Sequence, residues 1–253
     1  MKVPSTTLWR VFWRCLFLQA AWNRRGMQNL GFAYAMDPAL RRLYADPERR
    51  REALRRHLTT FNCHPYTAAA IVGGAIHHEE LVAAGEEPAS ASLEYKQVLQ
   101  GPLAAVGDSF FWAGLRPFFG ALAAAGTLAA GWPALAVALF LYNGLQLWLR
   151  FSFFRAGYRS GDAVVERVAA LSLPRWASRL RTAGTVVVGL AGALLASRAA
   201  PGFGTGAVAV ALAAALAGWW VLSRGVRLLP SAYGAMLFGA LAALALAHLR
   251  GGP

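Results

Sequence analysis

The apolar residues of this 253-residue chain are organised differently in its two halves. From residue 110 onward they gather into five nearly uninterrupted stretches, 110–130, 133–154, 183–199, 206–222 and 232–249. Each is close to the ~20 residues an α-helix needs to cross a hydrocarbon core. Before residue 110 the apolar positions recur at helical spacing between charges. In residues 6–22, Arg10 and Arg14 share one helical face, while Leu8, Phe12, Cys15, Leu16 and Gln19 fall near the opposite side. This predicts an amphipathic helix lying at a membrane surface with its tryptophans at the interface. A helix covering a soluble core fits the same pattern. Asp37-Pro38 predicts the start of another helix, since proline suits a first helical turn. Residues 47–58 read as a solvated, arginine-rich helix and 61–66 as a helix break, after which small residues resume the helix up to Ala75. The acidic and then Gly/Pro/Ser-rich segment 79–92 reads as a surface loop.

The predicted fold class is all-α. It is a polytopic membrane protein with an N-terminal interfacial and cytoplasmic helical region, broken or re-entrant helices and about five spans. Three regions follow from the pattern: residues 1–100 with the amphipathic and cytoplasmic helices, 101–160 with the first two spans, and 161–253 with a cytoplasmic loop and three more spans.

Charge orients this array. The turn at 131–133 is uncharged, whereas 155–181 carries Arg155, Arg159, Arg167, Arg175, Arg179 and Arg181 against Asp162 and Glu166. Residues 200–205 are again uncharged, and Arg224 and Arg227 follow the next stretch. Basic and uncharged loops alternate, which predicts a cytoplasmic N-terminus and a C-terminus on the periplasmic or extracellular side. A composition of 57% hydrophobic and 15% charged residues excludes an ordinary soluble domain. The formal net charge is +13, and the first 60 residues hold 12 Lys and Arg against 4 Asp and Glu. Placed beside apolar spans, that charge fits anionic lipid headgroups and membrane orientation rather than nucleic acid. Cys15 and Cys63 have no CxxC or metal-ligand spacing, so neither a disulfide framework nor a zinc site is expected. Trp9, Arg10, Trp13 and Arg14 interrupt any signal-peptide core.

Two local patterns carry chemistry of opposite promise. His77-His78-Glu79-Glu80 looks like a metal cluster, but neighbouring helical residues diverge by about 100° and do not converge on one ion. It reads as a solvated helix end, and no metal site is expected. Residues 101–117 (GPLAAVGDSFFWAGLRP) set Asp108 and Arg116 among glycines, prolines and large apolar side chains where an apolar stretch begins. Charges and helix-breakers in such a place usually line a cavity or substrate path.

Three blocks stand in order along the chain. They are residues 19–36 (QAAWNRRGMQNLGFAYAM), Arg56-His57-Leu58 with 61–66 (FNCHPY), and 101–117. Together with Tyr142-Asn143 and 155–161 (RAGYRSG), they strongly resemble the IID membrane subunit of the mannose/fructose/sorbose family of the phosphoenolpyruvate-dependent sugar phosphotransferase system. The resemblance covers roughly residues 16–162. It implies a non-catalytic permease subunit of the bacterial inner membrane, without cofactor, that forms a hexose pathway with a IIC membrane subunit. Pairs of IIC and IID assemble further into trimers, and phosphoryl transfer belongs to soluble IIA and IIB proteins. None of the five histidines is then a phosphoacceptor. The family has an aromatic residue, an acid and an arginine after its Trp-Asn pair; this chain has Arg24, Arg25 and Gly26. The family's longer region between later spans is reduced here to about 200–206. These departures raise a second reading, a degenerate IID paralogue serving as a non-transporting scaffold or sensor.

The resemblance also gives the candidate binding residues a ligand. Gln19, Asn23 and Gln28 read as an amide strip along one element facing sugar, or alternatively headgroups or the partner subunit; amides offer both donors and acceptors to hydroxyls. Asn62 and His64 lie in a helix break, a feature that persists in a membrane only where protein or water satisfies its backbone. A turn closed by Asn62 and a structural imidazole are the plainer readings. Asp108 and Arg116, about two helical turns apart, read as lining for the sugar path or as the framework of a broken helix. Trp112 offers a flat face to a sugar ring, or belongs to an aromatic belt.

Overall fold

The computed structural model describes residues 2–199. Met1–Ala191 form one compact unit. The two predicted spans at 206–222 and 232–249 lie outside the described residues.

Among the described residues the chain is helical, with isolated bridges and no strand. Helices α1 (Ser5–Cys15), α2 (Asn29–Leu43), α3 (Pro47–His57) and α4 (Ala68–Ala84) build the N-terminal half. Helix α5 (Ala91–Gly107) continues through a π-helical stretch, Asp108–Leu115, into α6 (Arg116–Ala130). A reversal at Gly131, whose φ of 79° suits glycine, leads into the long α7 (Trp132–Ser160). A 3-10 turn then precedes α8 (Val164–Ala170), and α9 begins at Leu173.

Helix α4 is the centre of the unit because its first part, residues 68–76, is entirely small or apolar and entirely buried. It packs against α7 at very close range. A methyl group on Gly73 would strike the Phe154 carbonyl, and one on Gly157 would strike the Ala70 carbonyl. Small residues let these backbones approach, as at other membrane helix interfaces. Phe32, Phe61 and Phe111 are fully buried around this centre, each worth about 1.5–3 kcal/mol of burial. The far ends of α6 and α7 are the opposite case. Helix α6 has no buried residue, and Trp132 and Phe140 on α7 are 76% and 77% exposed. The helical runs Ala91–Ala130 and Trp132–Gly192 are long and apolar enough to cross a bilayer, and an apolar surface of this kind needs lipid or a partner to cover it.

Several expectations need correction. The N-terminal helix ends at Cys15 and gives way to turns through Ala21. Asp37-Pro38 starts no helix; Pro38 lies inside α2. Proline leaves the carbonyl four residues earlier without its usual donor, and that carbonyl, Tyr34 O, accepts from Arg14 Nη1 at 3.0 Å. Segment 79–92 is no loop at its start, because α4 runs to Ala84 and Gly85 closes it in the left-handed region. His78, Glu79 and Glu80 are buried rather than solvated, since α3 and α7 cover that end of α4. Residues 101–117 are not broken. Pro102 is accommodated within α5, and the helix widens at 108–115, where Arg116 N–H donates five residues back to the Phe111 carbonyl. Pro117, having no N–H, favours this local rearrangement.

Candidate functional site

The three ordered sequence blocks meet at one junction. Residues 23–27 form a tight turn in which Asn23 Oδ1 accepts the backbone N–H groups of Arg25 and Gly26 at 3.1 and 2.8 Å. Asn23 Nδ2 donates to Asn29 Oδ1 at 3.0 Å. Met27 takes a positive φ of 57°, and Gln28 N–H donates to the Phe61 carbonyl, joining the turn to the helix break. The Gln28 carboxamide then clamps Cys63, donating to its carbonyl at 2.8 Å and accepting its N–H at 3.0 Å. Gln28 is buried, whereas Gln19 is exposed in the turns after α1. The three amides therefore do not form a strip on one element.

The break meets the third block through His64. Its ring stacks on Phe111 with centroids 5.2 Å apart and a 14° tilt. Trp112 and Tyr66 stand edge-on to it at 5.2 and 5.0 Å. Gly107 is required beneath the imidazole, since a Cβ there would collide with the His64 side chain. Thr67 Oγ1 donates to the Leu103 carbonyl at 2.8 Å, and Gln100 Oε1 accepts the Asn62 N–H at 3.1 Å. His64 Nδ1 accepts the Tyr66 N–H at 3.2 Å. The neutral ring therefore carries its proton on Nε2, and burial, with Arg150 nearby, holds its pKa down at about 4. Asp108, Trp112 and Arg116 recur every four residues and are exposed, as is Asn62. Asp108 and Arg116 form no ion pair with each other.

Two residues absent from the sequence-based candidates complete the junction. Arg150 on α7 is buried, donates through Nη2 to the Cys15 and Pro65 carbonyls at 3.3 Å each, and lies 4.7 Å over the Tyr66 ring. Gln146 lies one turn earlier and is also buried. Their signal was present: a lone arginine and an amide inside an otherwise apolar span. Lys96, buried against Phe32 and Phe61, holds the Thr59 and His57 carbonyls at 3.0 and 3.1 Å and closes the end of α3.

A second polar cluster lies at the α3–α4 contact. Glu79 accepts Arg56 Nε and Nη2 at 2.9 and 3.2 Å, His57 Nε2 at 2.9 Å and Tyr44 Oη at 2.7 Å. Burial alone raises a carboxyl pKa, but these donors outweigh it and hold Glu79 at about 2. Burial pushes His57 down, so the imidazole is neutral and donates from Nε2. Among the described residues no group of three or more His, Cys, Asp or Glu side chains is placed to hold a metal ion.

Residues 2–228 match the family described as the mannose/fructose/sorbose family IID component of the phosphotransferase system. The chain belongs to this family. A IID component of this kind is a membrane protein that works with IIC and other phosphotransferase components. Among its relatives, the mannose-specific IID component of Escherichia coli K12 is 35% identical over 190 residues, 74% of this chain and 67% of that one. The fructose permease IID component of Bacillus subtilis is 30% identical over 189 residues, covering 74% and 69%. The sorbose-specific component of Klebsiella pneumoniae is also 30% identical, covering 75% and 69%. A cryo-EM structure of the mannose transporter ManYZ in complex with microcin E492 superposes on this IID chain with a TM-score of 0.61 at 29% identity, covering 96% of this chain and 97% of the other. A second solved membrane protein gives a TM-score of 0.73, also at 29% identity, with 97% and 98% covered. The all-α membrane architecture expected from the sequence agrees with these neighbours.

Proposed function

We propose that this IID subunit forms, with a IIC subunit, the pathway by which a hexose crosses the inner membrane and is phosphorylated by a IIB protein. The observation that carries the reading is the convergence of three separated sequence blocks on the junction around His64. Relatives named for mannose, fructose and sorbose, all hexoses, support a hexose as the substrate class. The exposed Asp108, Trp112 and Arg116, with Asn62, form the face turned to the sugar path and the IIC subunit, while Gln28 and Asn23 hold the turn and break behind it. Gln19, exposed in the turns after α1, is assigned to the same path. The N-terminus is cytoplasmic, and IIC–IID pairs assemble into trimers.

The test is reconstitution with matching IIC, IIA and IIB proteins in vesicles. Sugar uptake that requires phosphoenolpyruvate is expected, with mannose, fructose and sorbose tried in turn. Normal assembly with IIC but no binding of any of these sugars by calorimetry would replace this reading with a non-transporting scaffold.

A further inference from the structure

Six buried side-chain atoms among the described residues find no hydrogen-bond partner there. Two of them belong to His64 and Arg150, which both pack on Tyr66, and a third to Gln146, one helical turn before Arg150 on α7. These three are His64 Nε2, Arg150 Nε and Gln146 Oε1. The side chains are almost wholly enclosed, with exposures of 2%, 6% and 7%. Tyr142, Gln146 and Arg150 recur at four-residue intervals and so form one stripe on α7. The two ends of this stripe both touch Tyr66: Tyr142 Oη is 3.3 Å from Tyr66 Oη, and the Arg150 guanidinium lies over the Tyr66 ring. His64 meets the same ring edge-on. Gln146 lies between the two ends of the stripe.

An unpartnered buried polar atom costs about 1–3 kcal/mol, and native proteins rarely tolerate several at one place without a use for them. The three atoms also differ in kind. His64 Nε2 and Arg150 Nε are donors, since Nδ1 of the histidine already accepts the Tyr66 N–H, and Gln146 Oε1 is an acceptor. A set with both donors and an acceptor suits a neutral hydroxyl, which accepts and donates at one oxygen. It suits an anion poorly, because Gln146 Oε1 would repel it, and it suits a cation poorly because of Arg150.

We propose that His64, Gln146 and Arg150 form a polar seam that binds sugar hydroxyls when α7 separates from the 61–67 segment during transport. The seam rests on the hexose-pathway reading above and adds two residues of α7 to it. In the closed arrangement, Tyr66 packs on His64 and Arg150, and Trp112 stands against His64. In the open one, the hydroxyls satisfy the three atoms that the closed packing leaves unpaired. Binding energy then favours opening, because a ligand shifts a two-state equilibrium by its differential affinity for the two states.

The variant Gln146→Leu separates this role from a structural one. Removing an unpaired acceptor in favour of an apolar side chain of similar size leaves folding unharmed or improved. In the IIC–IID complex, Gln146→Leu is expected to keep or raise the melting temperature while weakening binding of the best of the three sugars, mannose, fructose or sorbose, by about tenfold or more, equivalent to about 1.4 kcal/mol. Arg150→Lys, which keeps the charge but removes Nε as a planar donor, is expected to weaken the same sugar by several-fold. A Gln146→Leu complex that binds within twofold of wild type overturns the seam while leaving the hexose pathway standing. A lower melting temperature with unchanged affinity also overturns it and assigns the carboxamide to packing. A wild-type complex that binds none of the sugars overturns both readings together.

Discussion

The clusters around Glu79 and around Arg150 each bury charge in the same unit, yet they are finished to different degrees. The Glu79 carboxylate receives hydrogen bonds from Arg56, His57 and Tyr44, and its charge meets that of Arg56 directly, so the atom left unpaired there, His57 Nδ1, belongs to a neutral ring. Arg150 has no carboxylate partner. Two carbonyls and an aromatic face hold it, and its Nε and the neighbouring Gln146 Oε1 are unpaired. Closed networks of buried charge fix a structure, because removing any member leaves the others exposed to an apolar interior. Open ones keep bonding capacity in reserve, and that capacity is what a transported ligand can use.

Substitutions at the closed cluster should give the largest effects. Glu79→Ala strands Arg56 and His57 and is expected to destabilise the subunit by about 3–5 kcal/mol, read as a large drop in the melting temperature of the purified complex. A drop no larger than that at Arg150 would erase the distinction drawn between the clusters. Arg150→Met removes hydrogen bonds to two carbonyls but strands no opposite charge, so about 1–3 kcal/mol is expected, together with loss of sugar binding. Acid should separate the clusters as well. His64 titrates at about 4 in the folded protein instead of 6.5, so the unfolded chain binds its proton first as the pH falls. Its contribution is therefore complete above pH 6.5 and is lost as the pH falls toward 4, by about 1 kcal/mol between pH 6.5 and 5.5. Glu79, held at about 2 instead of 4.5, keeps its contribution down to pH 4.5 and loses it below. His64→Gln should therefore flatten part of the stability loss between pH 6.5 and 5.5 and leave the loss below 4.5 in place, as followed by melts across pH. The smallest effect belongs to an ion pair outside both clusters. Glu48→Ala breaks an exposed pair with Arg51 and should change stability by about 0.5 kcal/mol or less; a larger change would mean that surface charge contributes more here than its exposure implies.

Much of the framework was legible before the structure. The apolar stretches at 110–130 and 133–154 lie within long helices, and the break at 61–66 falls between α3 and α4. Such features depend on local composition and on proline and glycine chemistry. The candidate site was legible in part. His64 was named, and it stands at the centre of the junction, but the expected amide strip dissolved because Gln28 turns inward to Cys63 while Gln19 faces out. His77–Glu80 was misread for a related reason. Its own sequence is polar, and only the packing of α3 and α7 over α4 shows that it is buried. Gln146 and Arg150 are hard to single out in the sequence because the span around them reads as apolar as a whole.

The sequence by itself determined membership of the family, the helical class and the positions of the described apolar helices, because hydrophobic runs and ordered motifs are written in consecutive residues. It also determined that a charge, Asp108, would stand where the apolar stretch of the first long helix begins. The tertiary structure decided how that charge is used. It kept residues 101–117 helical through a π-helical widening, supplied Arg14 to the carbonyl that Pro38 leaves open, and brought residues 64, 142 and 150 together around Tyr66. Those outcomes depend on which distant backbone groups lack partners, and hydrogen-bond satisfaction in a packed interior is a property of the whole fold.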